Sequence, residues 1–440
     1  MSDGRYVVLG LRRSGLAAAE AIRRTMPGAE VVGADDAGQV DTARLRAIGV
    51  EYQLGGELVS MTGVTALVKS PGAPGDHPLV ASARDAGVPV WSEVELGYRL
   101  IRSPIIGITG TNGKTTTTEL VGAMLRAGNV PVEVAGNVGR PLCDLAGRVD
   151  PATWIACELS SFQLEDIDSF RARVGVVLQV TPDHLDRHGT FAEYLRSKLR
   201  LFENQTTEDT AVLNADDPVL REAEIPGDGR RVWFSRDQSD RIDWEHSSIR
   251  GDHNLENALA ASAAAEAAGV SREARDRALR SFTPPPHRLQ TVAVRDGVSF
   301  VDDSKATNPE AVIKALTAYQ DGVRLLLGGS LKGSSFAGLA AAVADGPVVS
   351  VDVYGEAGEQ IAAALAAAGV PHRRHRRMAA AVAAAAAGAH AGDVVLLSPA
   401  CASFDEFTDY VERGLAFAQL AQEVPVGEVA KRVRELVGPR

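Results

Sequence analysis

The feature that most limits what this chain can fold into is a rhythm. Short apolar, β-branched-rich runs at residues 6–9, 30–33, 66–69, 105–109, 155–158 and 174–180 are each followed by a longer helix-favouring stretch. Such alternation predicts parallel strands joined by crossover helices, an α/β architecture. The rhythm resumes at 297–301, 323–327, 348–351 and 394–397, so the C-terminal part reads as α/β too. Ala-rich stretches at 258–268, 338–344, 361–368 and 379–387 read as packed helices rather than linkers, because Ala gives up least on entering a helix. At about 150 residues per domain, 440 residues call for roughly three domains. Pro104 opens a fresh strand after a helix, and Pro284, Pro285 and Pro286 cannot continue one, which marks the boundaries. The expected domains are 1–93, 94–286 and 287–440.

Charge and composition exclude several classes. With 57 acidic against 46 basic side chains the net charge is −11, which disfavours DNA or RNA as partner, so an anionic ligand must be met by a local site. The basic run HRRHRR at 372–377 is short and reads as a solvated edge rather than a nucleic-acid patch. No stretch has the 18 or so uninterrupted apolar residues of a membrane helix, and residues 6–9 are too short for a signal-peptide core. Cys143, Cys157 and Cys401 form no CxxC pair, which suits a reduced compartment. The expectation is a cytoplasmic protein without membrane insertion.

The strongest chemical signal is IIGITGTNGKTTTTEL, an apolar strand, then Gly110, Thr111, Asn112, Gly113, Lys114, Thr115 and Thr116, then a helix. Glycines here let backbone N–H groups converge on phosphate oxygens at a helix N-terminus. Lys114 adds a point charge and the Thr115 hydroxyl a Mg²⁺ ligand, so ATP is the natural occupant. Ile108 stands where the general phosphate-loop pattern has its first Gly. A second turn, VVLGLRRSG, places Gly10 and Gly15 between strand and helix, but Arg12 fills the middle-Gly position of the dinucleotide fingerprint. A generic Rossmann-like start fits that better than a dinucleotide site.

Further candidates follow strand ends. Glu158 closes an apolar strand beside Ser160 and Ser161, as a metal ligand or a helix cap. Thr181, Asp183 and His184 close another, with Lys198 on the next helix; a histidine there is structural or a ligand. Asn137 in AGNVG is a turn residue or a donor to a phosphoryl group. His253, Asn254 and Asn257 open a helix, where capping is the alternative. Arg288 follows the prolines, and Asp303, Lys305, Thr307 and Asn308 follow an apolar strand. Lys332, Ser403, Phe404 and Tyr410 lie in LKGSSF and ACASFDEFTDY, and a dicarboxylic substrate needs such cationic and hydroxyl partners.

The compact GTNGKTT resembles the Mur ligase and folylpolyglutamate synthetase superfamily, and ELSSFQLE, YxxxK, HNxxN, DSKATN and SPACASFDEF extend the likeness over essentially the whole chain. DSKATN and SPACASFDEF are similar to the family's D-glutamate-adding members. The resemblance implies three domains: a Rossmann-like first, a central phosphate-loop ATPase domain with a parallel sheet, and a Rossmann-like last. It implies addition of D-glutamate to UDP-N-acetylmuramoyl-L-alanine through an acyl phosphate, with ATP and two Mg²⁺ ions, by a monomer. The implied catalytic residues are Lys114, Asn137, His184, Lys198 and Lys305. Glu158, His184, Thr115 and a carbamylated Lys198 would hold metal. Asn254, Asn257, Arg288 and Asp303 would meet ATP, and Thr307, Lys332, Ser403, Phe404 and Tyr410 the amino acid. Arg13, Ser14, Asp35, Ser70, Pro71 and Gly72 would meet the UDP sugar. Asp36 and Ala37 stand where many members carry hydroxyl or basic residues, a departure that bears on the uridine contacts.

Overall fold

The computed structural model describes residues 3–36, 40–56, 59–137, 139–249, 251–283, 286–331 and 335–427, apart from the Asp186 side chain. Ala37, Pro284, Pro285 and Lys332 lie outside them. The chain forms three sheets and two compact units, the first spanning residues 1–249 and 254–282, the second 250–253 and 283–440.

The first unit carries two sheets, parallel throughout. In one, five strands lie in the order Glu51–Leu54, Glu30–Asp35, Arg5–Leu9, Val64–Lys69, Val90–Ser92. The order reverses between Arg5–Leu9 and Val64–Lys69, the switch point where open α/β sheets bind ligands. In the other, six strands run Arg230–Phe234, Thr210–Asn214, Val174–Val177, Ile105–Thr109, Trp154–Glu158, Val132–Gly136. Their hydrogen-bond partners are all parallel. Ile105–Thr109 is central and buried along its length, which is why the sequence there is an unbroken apolar run rather than an alternating one. The two sheets share one core: Tyr6, Leu16 and Ile22 belong to the same buried cluster as Leu142, Leu145 and Phe170. Arg24 on the helix Arg13–Thr25 also donates to the carbonyls of Ala146 (2.8 Å) and Cys143 (3.0 Å). A fully buried side chain such as Ile22 stabilises the fold by about 1.5–3 kcal/mol.

The second unit is built on a mixed sheet, Gln290–Arg295, Val298–Asp302, Val394–Ala400, Val323–Gly328, Val348–Tyr354, His372–Arg374. Its first pair is an antiparallel hairpin and the rest are parallel. The hairpin turns on Asp296 and Gly297, both at positive φ (50° and 76°), the Asp-Gly pairing that such a tight turn favours. Gly297, expected to open a strand, is therefore a turn residue.

The basic run is not simply a solvated edge. Arg373 clamps both oxygens of the fully buried Asp352 at 2.8 and 2.7 Å, and His375 reaches the same carboxylate at 2.7 Å. Arg373 neutralises a charge that otherwise could not be buried, and His375 adds a hydrogen-bond contact to it. All three cysteines are buried and none forms a disulfide. Among the described residues no helix is long and apolar enough to cross a membrane.

Candidate active site

Strand ends build the site of the first unit. Ile105–Thr109 delivers Gly110, and the helix Lys114–Ala127 begins right after Gly113, whose φ of +84° puts it in the left-handed region that glycine adopts freely. A Cβ at Gly113 would lie 2.2 Å from Asn257 Oδ1, so this loop has room only for glycine. Asn257 accepts from the Thr117 hydroxyl at 3.3 Å and donates to Asn254 Oδ1 at 3.3 Å, which makes both asparagines a brace under the loop.

The neighbouring strand end holds the loop in shape. Thr111 N–H donates to the Gln179 carbonyl (2.8 Å), its hydroxyl to the Thr181 carbonyl (3.0 Å), and the Tyr194 hydroxyl lies 3.1 Å from the Thr111 hydroxyl. Asn112 N–H meets Gln179 Oε1 at 3.3 Å. Lys114 folds over the loop and donates to the carbonyls of Gly110 (3.0 Å) and Thr111 (2.8 Å). Thr115 and Thr116 are buried in the first turn of the helix.

Glu158, 3% exposed, closes the strand beside Ile105–Thr109. Its Oε1 accepts from Asn137 Nδ2 at 3.0 Å, while its Oε2 is buried with no hydrogen-bond partner. A buried, unpaired carboxylate oxygen is costly, and a cation is what it fits. The hydroxyls of Thr109 and Thr181 and the amide Nδ2 of Asn112 are likewise buried without partners. Among the described residues no three His, Cys, Asp or Glu side chains cluster to hold a metal by themselves. A single buried carboxylate is a fitting ligand for Mg²⁺, which takes one or two carboxylates and completes its shell with phosphate oxygens and water.

Lys198 is 2% exposed, on the helix Phe191–Leu199. Its Nζ donates to the same Gly110 carbonyl at 2.8 Å and lies 4.5 Å from the centre of the Tyr194 ring. Burial, then the nearby Lys114 charge, holds its pKa well below that of a free lysine. His184 sits at a positive φ of 54°, with its N–H on Asp183 Oδ1 (2.9 Å) and its ring 5.0 Å from Phe162. Ser160 does cap a helix, with Gln163 in a reciprocal capping box, which leaves Glu158 free of that duty.

At the first sheet's switch point, Ser70 donates its hydroxyl to the Gly10 carbonyl (2.6 Å), and Asp35 accepts the Leu11 N–H (2.6 Å). Arg13 is exposed and Ser14 half-buried at the start of their helix. Asp36 pairs with His77 at 3.1 Å. The Pro71 carbonyl accepts from Arg187 at 3.2 Å, and Gly72 is exposed.

In the second unit Asp303 follows the strand Val298–Asp302, accepts from the Ser398 hydroxyl (2.7 Å) and the Leu289 N–H (3.3 Å), and is pushed up to about 7 by burial. Arg288 is near enough to oppose that rise. His253 is lowered to about 4 by burial. Lys305 Nζ lies 3.7 Å from the centre of the Tyr410 ring, Thr307 is half-buried, and Asn308 caps the helix Pro309–Leu316 through the Ala311 N–H at 2.8 Å. Ser403 is 2% and Phe404 70% exposed. Lys332 lies outside the described residues. Sequence reasoning missed Gln179 and Tyr194 as loop supports; the i, i+4 spacing of Tyr194 and Lys198 was the available signal.

Residues 108–244 match the Mur ligase middle domain and 287–401 the glutamate ligase domain of Mur ligases. A UDP-N-acetylmuramoylalanine--D-glutamate ligase of Solibacter usitatus is 42% identical over 434 residues, covering 94% of this chain and 97% of that protein. The chain belongs to the Mur ligase family. Enzymes of the same name from Acidobacterium capsulatum and Pelotomaculum thermopropionicum are 40% and 41% identical, over 94% and 96% of this chain and 95% and 98% of theirs. Two Mur ligase structures from Thermotoga maritima share the fold at 18% identity. One is MurF in complex with ADP (TM-score 0.62; 92% of this chain, 96% of that one). The other is MurC, UDP-N-acetylmuramate-alanine ligase (TM-score 0.60; 95% and 99%).

Proposed function

We propose that this Mur ligase adds D-glutamate to UDP-N-acetylmuramoyl-L-alanine at the expense of ATP, in peptidoglycan precursor synthesis. The likeness over nearly the full length to D-glutamate ligases supports the substrates. The observation that carries the chemistry is the phosphate loop beside a buried carboxylate oxygen, Glu158 Oε2, that lacks a partner.

In this reading the backbone N–H groups of residues 110–116 and the Lys114 ammonium hold the triphosphate. Glu158, Thr115, His184 and a carbamylated Lys198 would hold two Mg²⁺ ions, whose chemistry when bound would be to neutralise charge on the transferring phosphoryl group. Lys198 suits the modification because its depressed pKa leaves a larger share of uncharged amine, the form that reacts with CO₂. Asn254, Asn257, Arg288 and Asp303 bind the nucleotide, and Asn137 donates toward the phosphoryl group while fixing the Glu158 carboxylate. Arg13, Ser14, Asp35, Ser70, Pro71 and Gly72 bind the UDP sugar.

The L-alanyl carboxylate attacks the γ-phosphorus and ADP leaves. The amine of D-glutamate then attacks the acyl carbon, loses a proton, and expels phosphate. Lys305 steadies the acyl phosphate, while Thr307, Lys332, Ser403, Phe404 and Tyr410 hold D-glutamate by its carboxylates and stem. In the same reading the chain is organised as domains at 1–93, 94–286 and 287–440, and the enzyme works as a cytoplasmic monomer.

The acyl phosphate makes the test specific. Substrate labelled with ¹⁸O in its L-alanyl carboxylate should yield phosphate carrying one ¹⁸O. Unlabelled phosphate alongside amide product would rule that intermediate out.

A further inference from the structure

Arg413, on the helix Tyr410–Glu423, is fully buried, yet its guanidinium spends its hydrogen bonds on neutral oxygens rather than a carboxylate. Nε donates to Ser304 Oγ (2.9 Å), Nη1 to the Ala402 carbonyl (3.0 Å), and Nη2 to the carbonyls of Ser304 (2.8 Å) and Cys401 (3.1 Å). Ser304 is also fully buried and fully engaged: its N–H donates to Asp302 Oδ1 (2.8 Å) and its hydroxyl to the Tyr410 carbonyl (2.8 Å). The Ala402 carbonyl takes a further bond from the Ser330 N–H at 2.9 Å.

Burying a cation that no carboxylate among the described residues pairs with is expensive, and apolar packing would stabilise this spot more cheaply. What the guanidinium does that apolar packing cannot is fix several backbone segments at once, since its planar fork presents five donors in one rigid geometry. The segments are those that bear the residues assigned above to the amino acid and acyl phosphate. Ser304 adjoins Lys305 and Thr307, Cys401 and Ala402 lead into Ser403 and Phe404, Tyr410 opens the helix, and Ser330 stands two residues before Lys332.

We propose that Arg413, with Ser304 as its hub, is a positioning residue that sets the spacing of the amino-acid-binding segments and thereby the affinity for D-glutamate. This rests on the functional reading above. Lysine keeps the charge but loses the fork, so Arg413→Lys should raise KM for D-glutamate about ten-fold, the effect of losing one charged hydrogen bond. KM for ATP and for the UDP sugar should stay within about two-fold. Ser304→Ala, which keeps the backbone bonds, should move the same KM in the same direction by less.

Hydrogen exchange on the full chain supplies a measure independent of turnover. Amides of 303–308 and 401–407 should exchange faster in Arg413→Lys than in the unsubstituted protein, while those of 323–327 stay protected. A KM rise shared equally by all three substrates, or unchanged exchange in both segments, would overturn the proposal. If the unsubstituted chain makes no product with D-glutamate, the functional reading fails, and the exchange result still decides whether Arg413 holds the segments.

Discussion

Two of the glycine-bearing turns from strand to helix in the first unit, Gly10–Gly15 and Gly110–Gly113, end in opposite states. In the first, the polar groups satisfy one another: Ser70 bonds the Gly10 carbonyl and Asp35 takes the Leu11 N–H. Gly15 is there for packing, since a Cβ on it would lie 1.8 Å from the Gly10 carbonyl oxygen. In the second, the loop is braced from below by Gln179, Tyr194 and Asn257, while Glu158 Oε2, Asn112 Nδ2 and the Thr109 and Thr181 hydroxyls are buried without partners. Glycine spacing alone does not separate a turn whose buried polar groups already pair with one another from one whose buried polar groups are left for a ligand; the hydrogen bonds do.

The sharpest break in that comparison is Lys114→Met. It should lower kcat by about 10²–10³-fold, as loss of one charge-stabilising donor does, with Tm nearly unchanged. An enzyme still within a few-fold of normal turnover would remove Lys114 from the phosphate site.

Next in size is Lys198. Its pKa is depressed, so the uncharged amine grows as pH rises, and carbamylation should grow with it. In CO₂-depleted buffer, activity should fall most steeply toward low pH and return on adding bicarbonate, with a carbamate resonance from ¹³C-bicarbonate at one lysine. Lys198→Arg should cost on the order of 100-fold, which no bicarbonate restores. Activity indifferent to CO₂ at every pH would leave Lys198 an ordinary buried amine.

The paired glycines come third. Gly113→Ala and Gly15→Ala should each destabilise by about 1–3 kcal/mol through strain and overpacking, read as a loss of Tm. Only Gly113→Ala should raise KM for ATP. If Gly15→Ala raised it equally, the two turns would not differ as described.

The smallest effect belongs to Asp35→Asn. The carboxylate bond to the Leu11 N–H becomes a neutral one, about 1 kcal/mol weaker, so KM for the UDP sugar should rise only a few-fold and KM for ATP not at all.

Much of this was legible in the residues themselves. The unbroken apolar run before Gly110 announced a buried strand, and GTNGKTT announced a glycine-bearing turn into a helix at the end of that strand. The edge strands Glu51–Leu54, Val90–Ser92 and His372–Arg374 were not legible, because runs of three or four residues are too short to show the apolar continuity that marks a buried strand. Nor was the use of Arg373 and His375 on Asp352, since a buried carboxylate in a β-branched run looks like any other residue until its partners arrive from another strand. The loop supports Gln179 and Tyr194 and the Arg413 hub stayed hidden for the same reason: their partners are distant in sequence.

The central claim is that this phosphate loop serves amide-bond formation to D-glutamate. It is tested most directly by incubating the protein with ATP, Mg²⁺ and UDP-N-acetylmuramoyl-L-alanine plus either enantiomer of glutamate, and following phosphate release and product mass. Stoichiometric phosphate with a product heavier by one glutamate residue, formed from the D enantiomer alone, is the result predicted. Phosphate release without that product, or product from L-glutamate alone, would contradict it.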